Sequence, residues 1–161
     1  MASELTVKQA EEKDIPLVIS FIKKIAEYEK LSHEVVVTEE SLRESLFGQK
    51  PSAEVIFGYL EKEPVAYAVY FYNFSTFIGK KGLYLEDLFV LPALRGKGIG
   101  KKMLLYLIQK AADEKCGRME WAVLDWNESA INFYKSLGAK PMEEWTVFRM
   151  DEETLNKSAS V

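Results

Sequence analysis

The chain has 161 residues, of which 48% are hydrophobic and 29% charged, a size and mixture that favour one globular domain over residues 1–161 and do not suggest a disordered chain. Acidic residues outnumber Lys plus Arg by 25 to 21, and the net charge of -4 provides no general attraction to nucleic acid or anionic lipid. Cys116 and His33 are the only residues of their kinds, which excludes an intrachain disulfide and a Cys/His zinc site and weakens any Cys–His or Ser–His mechanism.

The N-terminal segment has no basic region followed by an apolar one, and no stretch approaches the roughly 20 apolar residues that cross a bilayer. We therefore expect a cytoplasmic protein without membrane association. Asp14 and Thr38 are predicted helix caps, and Gly117 and Gly138 predicted left-handed helix ends. The predicted elements are a strand at 5–8, helices at 14–29 and 38–48, strands at 55–60, 65–72 and 83–91, a helix at 100–115, a strand at 119–124, a helix at 129–137 and a strand at 145–150.

The order β-α-α-β-β-β-α-β-α-β predicts an α/β fold around a mixed central sheet. We expect this sheet to be antiparallel through its meander and parallel where a helix crosses over. Residues 73–82 are predicted to form a loop between two central strands. The polar residues 152–161 are predicted to be a frayed tail.

The most informative stretch is residues 95–100, Arg-Gly-Lys-Gly-Ile-Gly, between a predicted strand and a predicted helix. Its alternating glycines open backbone conformations that let successive N–H groups converge on an anion at the helix N-terminus. Nearby basic residues suit a pyrophosphate. They are Arg95, Lys97, Lys101 and Lys102. On these residues alone, a solvated glycine-rich turn is the alternative.

Two other phosphate-binding motifs do not match this stretch. A Walker loop needs Ser or Thr after its lysine, whereas Lys101 is followed by Lys102. A dinucleotide fingerprint needs its third glycine three positions after the second, whereas Gly98 and Gly100 are two apart. The phosphates therefore belong to another kind of ligand.

In its strand–loop–helix context, the stretch resembles the acetyl-CoA loop of the GNAT superfamily of N-acetyltransferases, which has the form Arg/Gln-x-x-Gly-x-Gly/Ala. The likeness covers essentially the whole chain. Residues 26–32, 83–87 and 124–128 further resemble the diamine acetyltransferase group, which includes spermidine/spermine and thialysine N-acetyltransferases. The resemblance implies that acetyl-CoA donates acetyl to a primary amine of a small cationic molecule by direct attack, without a metal, in a homodimer.

Two carboxylates, Glu86 and Asp87, interrupt an otherwise apolar predicted strand. Adjacent strand residues point to opposite faces, so at most one of them is expected to face a given cleft. An internal ion pair is the alternative to a functional role, since an unpaired buried charge is costly. An alkylammonium with a pKa of about 10 must lose a proton before it reacts, and a carboxylate can accept that proton. The resemblance assigns substrate binding and this base role to Glu86.

The resemblance also implies that coenzyme A lies along the edge of this strand, where the strand splays from its neighbour and a backbone N–H stabilises the oxyanion. The implied cofactor contacts are Leu88, Phe89, Val90, Arg95, Gly96, Lys97, Gly98, Ile99, Gly100, Lys101, Asn127, Glu128, Ser129 and Ala130. Asn127 could equally be only a helix cap.

Tyr134 lies about two turns into the predicted helix that follows Asn127. The departing thiolate has a solution pKa of about 8.5, and a nearby hydroxyl can protonate it. The resemblance assigns Tyr134 as this acid. From spacing alone, packing of Tyr134 with Ile131 is the alternative.

The resemblance further implies an amine pocket built from acidic and aromatic residues. Its members are Tyr28, Glu29, Glu86, Asp87, Glu143, Glu144 and Trp145. Polyamine-specific members carry an acid two positions before the aromatic that matches Phe77, where this chain has Ser75. We therefore expect a lysine-like or diamine substrate, with spermidine second. A non-catalytic acyl-CoA-binding module is the competing hypothesis, and Glu86 and Tyr134 argue against it.

Overall fold

The structure, a computed structural model, describes residues 3–159. The chain separates into two compact units that meet between Ala122 and Val123, and the expectation of a single domain stays a prediction. The first unit contains β1 (Leu5–Gln9), α1 (Ile15–Tyr28), α2 (Glu39–Phe47), β2 (Glu54–Leu60), β3 (Glu63–Ser75), β4 (Lys80–Val90), α3 (Ile99–Asp113) and β5 (Arg118–Trp121). None of the helices in residues 3–159 is both long and apolar enough to span a membrane.

The five strands form one mixed sheet in the order β1-β2-β3-β4-β5. Pairing is antiparallel from β1 to β4 and parallel between β4 and β5, which confirms the predicted fold class. The parallel pairing covers only Gly82 to Leu85 of β4. On the side of β4 that faces β5, residues 86–90 pair with no other strand of the described chain. We call this stretch, from Glu86 to Val90, the open edge of β4.

The two faces of the sheet are covered by different helices. Phe57 and Gly58 are adjacent in β2 and therefore point to opposite faces. Phe57 packs against Phe21 of α1, with ring centroids 5.8 Å apart. A Cβ on Gly58 would lie 2.9 Å from the Met103 sulfur of α3, so that helix approaches the sheet closely on the other face. Each large apolar side chain that is fully buried here, such as Phe57 or Met103, contributes about 1.5–3 kcal/mol to the free energy of unfolding.

A β-bulge interrupts the pairing of β3 with β4. Val69 pairs with Asp87, but the next residue, Tyr70, pairs with Leu85. Glu86 is therefore the extra residue. Leu85 and Asp87 would share a face in a regular strand, but here they lie on opposite faces because their partners are neighbours in β3.

Two turns differ from the sequence-based expectation. The predicted loop at 73–82 is mostly a hairpin, because β3 continues to Ser75 and β4 begins at Lys80. The left-handed residue after α3 is Lys115, with φ 58°, and not Gly117. Cys116 N–H donates to Ala111 O at 2.9 Å, which closes a Schellman-type end with Lys115 in the left-handed position. The prediction for Gly138 is confirmed by its φ of 92°.

The second unit contains α4 (Glu128–Ser136) and α5 (Glu152–Ala159). The strand predicted at residues 145–150 does not form. Val147 and Phe148 of this segment are 82% and 93% exposed. Its apolar pattern resembles a strand, but a strand also needs a hydrogen-bonding neighbour, and β5 already ends at Trp121. α5 lies within the predicted tail, whose last two residues, 160 and 161, are outside the described residues, and the expectation of a frayed end stays a prediction.

Candidate active site

Three carboxylates come together where β4 passes the end of α1. Glu86 and Asp87 belong to β4, and Glu29 directly follows α1. Burial raises the pKa of the Glu29 carboxyl, and the negative charges of Asp87 and Glu86 raise it further. Both strand carboxylates thus lie near Glu29. The expectation that at most one of them faces a given cleft stays a prediction, although the bulge interrupts the regular alternation on which it depends.

Asp87 has a buried hydrogen-bond donor. Tyr67 of β3 is fully buried, and its hydroxyl donates to Asp87 Oδ2 at 2.6 Å. Burial raises the pKa of Asp87, and the hydrogen bond from Tyr67 opposes that rise. Burial and the charges of Asp87, Glu29 and Glu86 raise the pKa of Tyr67, so this phenol stays protonated and remains a donor.

This acidic cluster has a defined chemical capacity. Carboxylates that repel one another are stabilised by a bound cation or by a proton. The cluster can therefore hold an ammonium group and accept a proton from it. Within residues 3–159, no group of three or more His, Cys, Asp and Glu side chains is placed to hold a metal ion.

The open edge of β4 lies beside the acidic cluster. Leu91 N–H donates to Val65 O of β3 at 2.9 Å. By antiparallel alternation, the peptide groups of Phe89 also face β3, whereas those of Leu88 and Val90 face the open edge. Phe89 is also buried through its ring. Of the three residues predicted to contact the cofactor here, Leu88 thus presents its backbone groups and Val90 its N–H, because Val90 O accepts from Arg95 Nε.

The glycine loop leads from this edge into α3. Gly96 and Gly98 have φ of 77° and 80°, and Gly98 is the N-cap of α3. Gly100 does not have positive φ, and a Cβ there would only touch Val90 Cγ2 at 3.5 Å. Two of the three glycines, not all three, therefore need their conformational freedom.

The start of α3 offers backbone donors for an anion. Its first backbone hydrogen bond runs from Lys102 N–H to Gly98 O at 3.0 Å. The N–H groups of residues 99–101 therefore have no acceptor within the helix. Lys97, Lys101 and Lys102 are exposed around them. This combination of amides and positive charge fits a pyrophosphate.

Arg95 connects the glycine loop with the end of α1. Its Nε donates to Val90 O at 3.1 Å. Its guanidinium lies 4.3 Å from the ring centroid of Tyr28 and 5.0 Å from that of Phe89. A residue predicted to contact the cofactor thus packs on one predicted to contact the amine. A phosphate contact by Arg95 stays a prediction.

The remaining candidates belong to the second unit. Asn127 Oδ1 accepts from Ala130 N–H at 3.3 Å, so Asn127 is the N-cap of α4. Tyr134 lies within α4, with its ring 5.6 Å from that of Phe133. Glu143, Glu144 and Trp145 are exposed between the two helices. Cofactor contacts by residues 127–130, the acid role of Tyr134 and amine contacts by residues 143–145 stay predictions.

Sequence reasoning missed the link between Tyr67 and Asp87. The sequence predicts a strand at residues 65–72 and assigns Tyr67 no part in the site. A buried phenol usually has a hydrogen-bond partner, so its presence in an apolar strand signals that an acceptor is nearby. The sequence cannot name that acceptor, because the register shift that places Asp87 depends on pairing with β3.

Comparison with known proteins gives independent information on the family. The family model for "Acetyltransferase (GNAT) family" matches residues 22–139. The thialysine N-epsilon-acetyltransferase of Mus musculus is 36% identical over 95% of this chain and 96% of its own length. The L-ornithine N5-acetyltransferase of Arabidopsis thaliana is 28% identical over 92% of this chain and 85% of its own length. An integron cassette protein from the mobile metagenome of V. cholerae has a similar structure, with a TM-score of 0.81 and 25% identity over 98% of both chains.

Proposed function

Because the chain belongs to the acetyltransferase (GNAT) family, we propose that it transfers acetyl from acetyl-CoA to a primary amine of a small cationic molecule. Membership confirms the resemblance drawn from the glycine loop and the three shorter segments, and with it the expectation of an acetyltransferase. The observation that carries the substrate proposal is the cluster of Glu29, Glu86 and Asp87 beside an open strand edge.

Binding of acetyl-CoA is supported by two adjoining surfaces. The amides at the start of α3 and the basic loop side chains fit its pyrophosphate. The open edge of β4 can pair with its pantetheine arm as a sheet pairs with an added strand. Acetyl-CoA supplies the thioester carbonyl that the amine attacks. A backbone N–H of Leu88 or Val90 would stabilise the charge that develops on the carbonyl oxygen.

The acidic cluster would bind and deprotonate the amine. Its negative charge favours a cation, and Glu86, on the bulge, would accept the ammonium proton directly or through water. We propose direct attack within a ternary complex. Tyr134 would then donate a proton to the leaving thiolate. The contacts proposed for Glu143, Glu144 and Trp145 would complete the amine site.

A lysine-like amino acid or a diamine is the proposed substrate, with spermidine second. The relatives named for thialysine and L-ornithine favour amino acids with a side-chain amine. The position where polyamine-specific members carry an acid is Ser75, which is 6% exposed and whose Oγ accepts from Ile78 N–H at 3.3 Å. No extra negative charge is therefore present at that position for a longer polyamine.

We also propose a homodimer, as the resemblance implies, and a cytoplasmic location, as the sequence predicts. The exposed apolar side chains of Val147 and Phe148 are of the kind that subunit contacts bury. Light scattering coupled to size-exclusion chromatography should give twice the chain mass of 18.4 kDa. A single chain mass at micromolar concentration would contradict this part of the proposal.

The central test measures thiol release from acetyl-CoA with a panel of thialysine, L-lysine, L-ornithine, putrescine and spermidine. We expect release with at least one lysine-like or diamine substrate. Tyr134→Phe should lower kcat without unfolding the protein. Calorimetric binding of acetyl-CoA with no thiol release by any amine would instead favour the acyl-CoA-binding module.

A glycine series tests the proposed cofactor loop separately. Gly100→Ala adds a Cβ in ordinary contact, so we expect little change in stability but about tenfold weaker coenzyme A binding if the ligand packs on this backbone. Gly98→Ala should weaken coenzyme A binding and also strain the backbone, because alanine rarely adopts the positive φ of this position. Gly79→Ala is the matched control, because Gly79 has φ 70° in open space in the β3–β4 turn. Equal binding by all three variants would refute the loop assignment.

A further inference from the structure

We propose that Tyr67 is a positioning residue of the amine site, which fixes Asp87 through Oδ2 and so presents the other carboxylate oxygen, Oδ1, to the substrate ammonium. This inference rests on the proposed amine acetyltransfer and gives a role to a residue outside the predicted site. It also makes Asp87 a defined contact for the amine, alongside Glu29 and Glu86.

The position of the Tyr67 hydroxyl is set by the hydrophobic core. Its ring stacks on Phe21 of α1 at 5.1 Å and packs against Phe57 of β2 at 6.5 Å. A fully buried ring packed against two other core rings cannot follow a mobile carboxylate. The O–H···O distance to Asp87 of 2.6 Å lies in the range of hydrogen bonds to an ionised acceptor. Tyr67 therefore fixes Asp87, and not the reverse.

The charges around Asp87 explain why such a donor is needed. Glu29 faces it from α1, Glu86 precedes it on β4, and Tyr67 faces it from β3. Arg95 lies beyond Phe89 and Tyr28. Burial favours the protonated form of Asp87, and the repulsion between Asp87 and Glu29 acts in the same direction, whereas the Tyr67 hydroxyl favours the ionised form. An ionised, oriented carboxylate is the form that binds an ammonium group.

The same chain provides a matched control. Tyr72, also in β3, donates its hydroxyl to Glu114 Oε2 at 2.8 Å. That carboxylate lies at the end of α3, where Lys81 and Lys110 approach it at 3.1 and 3.4 Å. Tyr72→Phe therefore removes a tyrosine–carboxylate hydrogen bond from the opposite face of the sheet, away from the acidic cluster.

The test compares the pH profiles of kcat/KM for the best amine in wild type, Tyr67→Phe and Tyr72→Phe. In Tyr67→Phe we expect a higher KM for the amine and an acid limb displaced upward by about one to two pH units, the effect of losing a hydrogen bond to a charged group. Tyr72→Phe should keep the wild-type limb. The ionisation of the amine substrate affects all three proteins equally, so it cancels when their pH profiles are compared. Superimposable profiles for wild type and Tyr67→Phe would overturn the inference.

A second measurement covers the case in which Tyr67→Phe does not fold. In wild-type protein, the carboxyl 13C resonance of Asp87 should move when saturating amine is added with coenzyme A. An unmoved Asp87 resonance at saturation would overturn the inference. If wild-type protein acetylates none of the amines, the proposed function fails. If it is active and only the profile or resonance result is negative, the role of Tyr67 alone fails.

Discussion

Two tyrosine–carboxylate hydrogen bonds lie on opposite faces of the sheet and have opposite surroundings. Tyr72 donates to Glu114, which also meets Lys81 and Lys110. Tyr67 donates to Asp87, whose neighbours include two further carboxylates, Glu29 and Glu86. The hydrogen bond from Tyr72, with the lysine charges, lowers the pKa of Glu114, whereas burial raises that of Asp87.

The difference separates a structural role from a functional one. The Glu114 cluster pairs one carboxylate with two lysines and ties the end of α3 to β3 and β4. The acidic cluster of Glu29, Glu86 and Asp87 concentrates negative charge that folding alone does not need. Such destabilising charge is typical of ligand-binding sites. Substitutions in the two clusters should therefore have opposite consequences.

The largest expected effect is on catalysis by the acidic cluster. Glu86→Gln removes the proposed base while keeping the side-chain shape, and we expect kcat/KM to fall about 100-fold or more. Glu114→Gln should stay within about twofold of wild type, since it lies on the other face. Steady-state kinetics with circular dichroism as a folding control checks both. A fully active Glu86→Gln would mean that Glu86 is not the base.

A smaller effect of opposite sign is expected on stability. The raised folded-state pKa of Asp87 means that its ionisation destabilises the fold as pH rises from 3.8 through that folded-state pKa. Asp87→Asn keeps an acceptor for Tyr67 and removes the charge. We expect it to raise the free energy of unfolding at pH 7 by about 1 kcal/mol while weakening amine binding.

Urea unfolding between pH 4 and 7 measures this effect. The gain in Asp87→Asn should shrink as the pH falls and Asp87 becomes protonated in the wild type. A variant less stable than wild type at pH 7 would show that the Asp87 charge is compensated, and the contrast between the two clusters would be lost.

The smallest expected effect lies in the Glu114 cluster. The lowered folded-state pKa of Glu114 means that its stabilisation is complete above 4.5 and is lost as pH falls through the folded-state value. Because this carboxylate is partly exposed, Glu114→Gln should lower stability at pH 7 by only about 0.5 kcal/mol. The same unfolding series should show this loss vanishing at acid pH. A stabilised Glu114→Gln would contradict the structural role.

Much of the fold was predictable because it follows local patterns. Hydrophobic periodicity located the helices that cover the sheet, and the glycines at 96 and 98 marked the start of α3. Thr38 was correctly identified as a helix cap, with Ser41 N–H donating to its Oγ1 at 3.1 Å. Short connections also fixed the antiparallel order of the meander.

The remaining features depend on contacts between distant residues. Glu86 and Asp87 could be identified as candidates, but the bulge at Glu86, which places Leu85 and Asp87 on opposite faces, arises from pairing with β3. The segment around Val147 has the composition of a strand without a partner strand. At the end of α3, the backbone hydrogen bond from Cys116 N–H to Ala111 O closes the helix with Lys115, not Gly117, in the left-handed conformation.

The open edge of β4 has a further consequence, for handling the protein. Unsatisfied peptide groups along a strand are a template on which another extended chain can assemble, the first step of edge-to-edge aggregation. The charge of Glu86 and the Arg95 side chain on Val90 O oppose such assembly. We expect coenzyme A to protect purified protein against turbidity during storage, so its concentration would govern solubility as well as turnover.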